Sequence, residues 1–399
     1  MLITSIDDKS SNVKSIILYT FGCLIIPIFK IISLFIKFKF CHLHTKRIGH
    51  LTNNFDGALF CRPNNTLILF SHDKKIANKF IFNFFKQQKN VFFLGLFKYI
   101  YFSIDQVNPN SSLIINWDSF QPDFAFYLKF KSKIIFPSYS ENEVNNILSK
   151  YNIKKNFVGL YSRNNLYFDK HQINDPNFDE YKNFNFKDYS LVIKYLNNKN
   201  NSIIKFGETF PEESLKLFDE KIFTSLDFDS SGEMDYFLNL HSRYNVFSNS
   251  GASGISEILR KKTVYINLIP FSWFKLSTLA PESVILPKKI FNIKKDRFLT
   301  FKEIFDLEGE GIHSIHTPVD SYKKKNLSYI SNSPKEILDA VIEMEEKLLG
   351  HNENEEKTRL NDLFWKSITN NNFERINYLK NDQKLSVSTQ FLKNNQNLF

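Results

Sequence analysis

Beyond Phe157, short apolar runs alternate with stretches in which apolar residues recur every three or four positions. FVGLYS (157–162), SIIKF (202–206), KIFTSL (221–226), YNVFS (244–248) and VYINLI (264–269) have the length and side-chain types of strands. Between them, Tyr189, Leu191, Val192, Tyr195 and Leu196 share one side of a helix over 187–197. Ser230-x-x-Glu233 predicts a capping box that opens a helix through Phe237 and Leu240, and ISEILRK (255–261) predicts a shorter one. Strands joined by helical crossovers predict a parallel, doubly wound sheet, whose ligands lie just outside the carboxyl ends of the strands.

The first half carries a weaker version of the same pattern. NTLILFS (65–71), NVFFL (90–94) and LIINW (113–117) read as strands, and IANKFIFNFFKQQ (76–88) as a helix, so 41–152 is read as a second Rossmann-like unit. Ser140-x-x-Glu143 caps the helix ENEVNNILSKY, and the link to the second unit, 153–350, is placed after it, near 150–156. Ser333-Pro334-x-Glu336 opens a helix closed by Gly350. Residues 351–399 are charged and Asn-rich with apolar patches at 363–365 and 391–392; they predict a helical tail returning to the body, with disorder as the alternative.

Residues 1–40 differ in kind. Ser15 to Phe29 carries no charge, and IISLFI follows Lys30. Fifteen helical residues reach about 22 Å, short of a hydrocarbon core of about 30 Å, but the run through Ile36 is long enough. Lys37, Lys39, Lys46 and Arg47 then form a cluster that attracts an anionic membrane surface and favours the cytoplasmic side for the domain after it. The expectation is a peripheral or single N-terminal anchor at the cytoplasmic face of the inner membrane, with a buried core helix as the alternative. Asp7 and Asp8 at the start and the absence of a small-residue cleavage site argue against an export signal.

Charge changes this picture little. The net charge of +10 comes from 52 Lys+Arg, of which only eight are Arg, and 43 Phe accompany abundant Lys, Asn and Ile. AT-rich codon usage accounts for that bias, so no nucleic-acid partner is expected. Three cysteines without a CxxC pair give neither a disulfide framework nor structural zinc.

The stretch with most chemistry is Ser248-Asn249-Ser250-Gly251-Ala252-Ser253-Gly254, a small-residue loop between a strand and a helix. Its backbone N–H groups can approach a phosphate closely, although Gly and Ser also build ordinary tight turns, and no GK[ST] follows to make it a P-loop. Glu257 is placed to meet a ribose or sugar hydroxyl. Arg163, at the end of FVGLYS, and Lys205, near the end of SIIKF, would neutralise a diphosphate leaving group; a salt bridge or solvated strand end is the structural alternative. In RIGHL (47–51), His50, or Asp56 soon after, is the candidate base toward an acceptor hydroxyl. Asp227-Phe228-Asp229 resembles a metal-nucleotide DxD but reads as helix-entry chemistry. His42-x-His44 and His313-x-x-His316 lack further ligands at recognisable spacing, so no metal site is expected. GxSxG, HExxH and GxGxxG are all absent.

Taken in order, RIGHL, FVGLYSRN (157–164), Tyr181-Lys182-Asn183, IIKFG (203–207), SNSGASG (248–254), INLIP (266–270) and the ending SVSTQFLKNNQNLF resemble a family of bacterial surface-carbohydrate glycosyltransferases related to the GT-B superfamily. The resemblance covers roughly residues 45–399. It implies two Rossmann-like domains facing a cleft, with acceptor bound mainly by the first and nucleotide-sugar donor mainly by the second, generally without an essential metal. Lys182 and Lys205 stand where that pattern leads one to expect Arg, keeping charge but losing the bidentate fork.

The leading expectation is therefore a metal-independent glycosyltransferase that moves a sugar from a nucleotide-sugar, a substrate rather than a cofactor, to a lipid-linked or surface-polysaccharide glycan acceptor. A nucleotide-sugar 2-epimerase of the same fold and a non-catalytic membrane-bound carbohydrate or nucleic-acid binder are the competing readings. Release of free nucleotide separates the transferase from the epimerase.

Overall fold

The computed structural model of the chain describes residues 10–115, 132–163, 180–207, 222–225, 232–248, 250–269, 278–309, 320–351, 354–368 and 377–399, together with 218, 228, 271 and 276. The described residues form two compact units that divide in sequence between Pro137 and Ser138.

The first unit runs α1 (Ser10–Phe35), β1 (Phe38–Leu43), α2 (Ile48–Phe60), β2 (Leu67–His72), α3 (Lys79–Lys86), β3 (Val91–Phe93) and α4 (Phe97–Val107). Its three strands form a parallel sheet in the order β1-β2-β3, with Phe38 opposite Leu67 and Ile68 opposite Val91. Alternation along the strands sends Phe38 and Phe40 to one face, where Ile25, Ile26 and Phe29 of α1 and Ile100 and Ile104 of α4 cover them. Phe70 points to the other face and stacks at 5.2 Å on Phe55 of α2, which stacks in turn at 3.9 Å on Phe85 of α3. The expected strand at 113–117 contributes a single bridge, Ile114 to Phe40, and positions 116 and 117 lie outside the described residues.

Helix α1 is not the enclosed core helix that was the alternative for this segment. Ile16, Ile17, Leu24, Ile28, Ile31 and Leu34 are all exposed, and Val13–Phe35 has the length and apolarity to cross a membrane, with a mean hydropathy of 2.1. One edge of the helix nevertheless lies tightly against α4. A Cβ at Gly22 would stand 2.2 Å from the carbonyl oxygen of Ser103, so glycine permits the close crossing.

The second unit runs α5 (Glu141–Lys150), β4 (Phe157–Tyr161), α6 (Ser190–Asn198), β5 (Ser202–Lys205), β6 (Ile222–Thr224), α7 (Glu233–His241), β7 (Tyr244–Ser248), α8 (Gly254–Ile258), β8 (Thr263–Leu268), β9 (Val284–Pro287), β10 (Lys289–Asn292), β11 (Arg297–Phe298), α9 (Phe301–Gly309), α10 (Asp320–Lys324), β12 (Leu327–Ile330), α11 (Pro334–Leu348), α12 (Glu355–Ser367), β13 (Ser386–Val387) and α13 (Thr389–Asn394). Seven strands make an all-parallel sheet in the order β13-β9-β8-β7-β4-β5-β6. Helices α5 and α7 close one face through Val144, Leu148, Phe237 and Leu238, while α6 and α11 pack together beside the sheet. Coverage of both faces explains why every residue of β4 except Tyr161, and all of β5, β7 and β8, are buried.

Several expectations are refined. The capping box of α5 is present, with Ser140 N–H donating to Glu143 at 2.7 Å, but Val144 and Leu148 pack on Phe157, Ile204 and Phe247. This helix therefore belongs to the second unit, and the boundary falls before it rather than at 150–156. Helix α7 starts differently from expectation. Gly232, at φ +81°, occupies the cap position and Glu233 is the first helical residue; Ser230 lies outside the described residues. The cap of α11 is as expected, with both capping-box bonds present, Pro334 at its start and Gly350 beyond its end at φ +74°. The C-terminal segment is part of the body: β13 extends the large sheet, and Asn361 of α12 exchanges two hydrogen bonds with the Val387 backbone, at 2.8 and 3.2 Å.

Candidate functional site

In the large sheet, chain order runs β4, β5, β6 to one side and β7, β8, β9 to the other. The winding direction reverses between β4 and β7, and in open parallel sheets that reversal opens a crevice at the strand carboxyl ends. Arg163 follows β4 at this point, and its backbone N–H donates to Ser248 Oγ, the last residue of β7, at 2.8 Å. The Tyr189 phenol reaches the carbonyls of Tyr161 on β4 and Val246 on β7 at 2.9 and 2.8 Å, joining the two strands where they diverge. Lys205, 1% exposed, ends β5 on the other side of β4, between Leu160 and Thr224 in the sheet register. The ends of three adjacent strands thus carry two basic residues and a hydroxyl.

The loop after β7 holds its own shape. Ser250 Oγ accepts from Ala252 N at 3.0 Å, and the Ser253 hydroxyl lies 2.7 Å from the Ser250 carbonyl and 2.8 Å from Glu257 Oε1. Residues Gly251–Ser253 form one tight turn before the five residues of α8, too short a helix for its dipole to dominate. The Ser248, Ser250 and Ser253 oxygens are therefore engaged within the protein, and the Gly254 N–H donates to the Gly251 carbonyl, leaving the exposed Gly251 end of the turn as the part a ligand would meet. The Glu257 carboxylate accepts the Ser253 hydroxyl, which makes it a support for the loop rather than the sugar contact expected. Asn249 lies outside the described residues, as do Asp227, Asp229, His313 and His316.

Beneath the loop is a network that the sequence pattern did not disclose. Asn245 Nδ2 donates to Asn239 Oδ1 at 3.1 Å and Ser256 Oγ at 2.9 Å, and Ser256 donates back to Asn239 at 2.7 Å. All three residues are buried and fix α8 against β7 and α7. On the opposite edge, the buried Lys288 ammonium donates to the carbonyls of Tyr181 and Asn183 at 2.7 and 3.3 Å, holding the Tyr181-Lys182-Asn183 turn. Burial lowers the Lys288 pKa from 10.5 to about 8. Between those values the unfolded chain binds the proton and the folded chain does not, so this residue makes stability rise as pH increases from 8 to 10.5. Urea midpoints across that interval should climb less steeply in Lys288→Met than in the parent.

In the first unit the structure separates the two candidate bases. His50 sits half-buried in the first turn of α2, its ring 6.1 Å from that of His44. Asp56 is 2% exposed in the same helix, with Oδ1 accepting the Ser132 hydroxyl at 2.9 Å, so of the two His50 is the more accessible. The structure also assembles residues the sequence spacing left apart. His42 Nε2 lies 3.5 Å from Asp73 Oδ1 and His44 Nδ1 3.8 Å from Asp73 Oδ2, at the carboxyl ends of β1 and β2. Burial lowers the His42 pKa against the pull of Asp73. Burial pushes the Asp73 carboxyl up, yet His42 and His44 together hold it well below the usual range.

No protein-family model and no curated protein matches the sequence. Solved structures similar to the chain include glycosyltransferases. The glycosyl transferase family 9 structure from Veillonella parvula DSM 2008 is 10% identical, covering 79% of this chain and 98% of that one with a TM-score of 0.46. ADP-heptose lps heptosyltransferase II from E. coli is 11% identical over 57% of this chain and 84% of that one, with a TM-score of 0.35. The UDP-GlcNAc 2-epimerase of Methanocaldococcus jannaschii, solved with UDP-GlcNAc and UDP, is 9% identical over 75% and 81%, with a TM-score of 0.28. At these values the likenesses bear on neither donor nor acceptor.

Proposed function

We propose that the chain is a membrane-associated glycosyltransferase whose second unit binds a nucleotide-sugar through its diphosphate. The observation that carries this reading is the convergence of Arg163, Lys205 and the 248–254 loop on the carboxyl ends of β4, β5 and β7, where the sheet reverses its winding. As the bond from sugar to diphosphate breaks, negative charge grows on the leaving phosphate. Two cations, with the exposed Gly251 turn of the loop, stabilise that charge more than they stabilise the intact donor, which lowers the barrier without a metal at the diphosphate. His50 takes the proton of the acceptor hydroxyl, a glycan or lipid-linked glycan recognised by the first unit.

The test is thermal stabilisation of the full-length protein by UDP, GDP, CMP and ADP, since a ligand bound only by the folded state raises apparent stability. One diphosphate nucleotide should raise the melting temperature selectively. No shift with any of them at millimolar concentration would remove the donor site.

Attachment at the cytoplasmic membrane face is proposed from the exposed apolar side of α1; Leu94, Leu96 and Tyr99, around the start of α4, are exposed as well. Because α1 packs on α4 through Gly22, deleting it would uncover the unit's core, so substitution is the better probe. Leu24→Glu with Ile31→Glu, one helical face apart by seven residues, should move the protein from sedimenting with anionic vesicles to the supernatant while its melting temperature holds.

A further inference from the structure

We propose that His42, His44 and Asp73 bind a divalent transition metal of the zinc class at the carboxyl edge of the first unit's sheet. His42 lies on β1 and His44 one residue past its end, with the two rings 4.9 Å apart. Parallel pairing puts His42 opposite Ser71 and Leu43 opposite His72, so the next residues, His44 and Asp73, come side by side. Three ligand atoms, one from each residue, lie within 4.8 Å of one another.

The spacings leave room for an ion shared by the imidazoles and the carboxylate. N–H···O hydrogen bonds fall at about 2.7–3.2 Å, whereas His42 Nε2 stands 3.5 Å from one Asp73 oxygen and His44 Nδ1 3.8 Å from the other. Ligands bonded at about 2.0–2.1 Å to one tetrahedral zinc stand about 3.3–3.4 Å apart, so small side-chain movements close the set. Orientation is already provided. His42 Nδ1 meets Ser71 Oγ at 2.9 Å, which turns Nε2 toward Asp73, and Thr45 N–H donates to Asp73 Oδ2 at 3.1 Å. Support of this kind, a second nitrogen held by a neighbour and a carboxylate held by a backbone N–H, is what fixes metal ligands in place.

Two imidazoles and one carboxylate select zinc-class ions over magnesium or calcium, which prefer oxygen. His42 and Asp73 are buried, while the His44 side chain is 53% exposed. The ion would therefore keep its remaining positions on the solvent side of His44, open to water or to an oxygen of a bound molecule.

The experiment uses untagged full-length protein stripped with chelator and titrated with Co2+, read by visible absorption, and with Zn2+, read by calorimetry. The expected result is one equivalent bound, with Co2+ bands of tetrahedral or five-coordinate intensity that excess Mg2+ does not displace. Ser71→Ala should weaken binding about 10–100-fold, the usual effect of losing an outer partner. His44→Ala, at an exposed position that leaves the fold intact by circular dichroism, should abolish the stoichiometric site. Absence of Co2+ bands in the parent, or equal binding by parent and His44→Ala, would overturn the assignment.

Discussion

Arg163→Ala should remove the stabilisation conferred by the binding nucleotide and lower sugar transfer about 100- to 1000-fold, the loss typical when one donor to a developing negative charge is deleted. The expectation rests on which part of the residue does what. Its backbone N–H makes the bond to Ser248 that joins β4 to β7, and alanine keeps that bond. What disappears is the guanidinium, one of two basic groups where β4 and β5 end. Circular dichroism should be unchanged while the nucleotide-induced thermal shift and the release of free nucleotide both collapse. Arg163→Lys keeps the charge without the planar fork and should recover only part of the activity.

Gly159→Ala should cost about 1–3 kcal/mol of unfolding free energy, with Gly159→Val costing more, because the centre of β4 has no room for a side chain. A Cβ there would stand 2.3 Å from both Asn245 Oδ1 and the Phe206 ring. Phe206 is packed among Ile204, Phe237 and Phe247, so it cannot simply swing aside. Moving Asn245 instead breaks its bonds to Asn239 and Ser256 and strands buried polar groups, each worth about 1–3 kcal/mol. Urea denaturation measures the loss. Since Ser256 lies on α8, directly after the 248–254 loop, the same variants should also bind nucleotide more weakly in proportion to their disturbance of that loop.

The two substitutions mark how far the sequence could be read. Strands β4, β5, β7 and β8 are runs buried on both faces, and burial of that kind leaves a continuous apolar signature. Arg163, Lys205 and Ser248 could be placed at strand ends from that signature alone. Their convergence could not, because it depends on strand order, which brings β4 beside β7 through the bond between Arg163 and Ser248, 85 positions apart in the chain. Strand β1 was hidden for a different reason. Lys37 and Lys39 come directly after a membrane-length apolar helix and read as headgroup contacts, although Phe38 and Phe40 around Lys39 carry the alternation of a half-covered strand. Helix α5 carries a clear capping box, yet a cap says where a helix begins and nothing about which unit it packs on. The same limit applies to His42, His44 and Asp73: two ligands lie in one strand segment, and the third arrives only through the pairing of β1 with β2.

The most direct measurement is a crystal structure of the full-length protein with the nucleoside diphosphate that stabilises it most. The predicted result is diphosphate density at the carboxyl ends of β4, β5 and β7, with the Arg163 guanidinium within hydrogen-bonding distance of a phosphate oxygen and the Gly251 turn of the 248–254 loop on the other side. A nucleotide bound elsewhere on the second unit, with Arg163 and Lys205 untouched, would contradict the assignment of this crevice as the donor site.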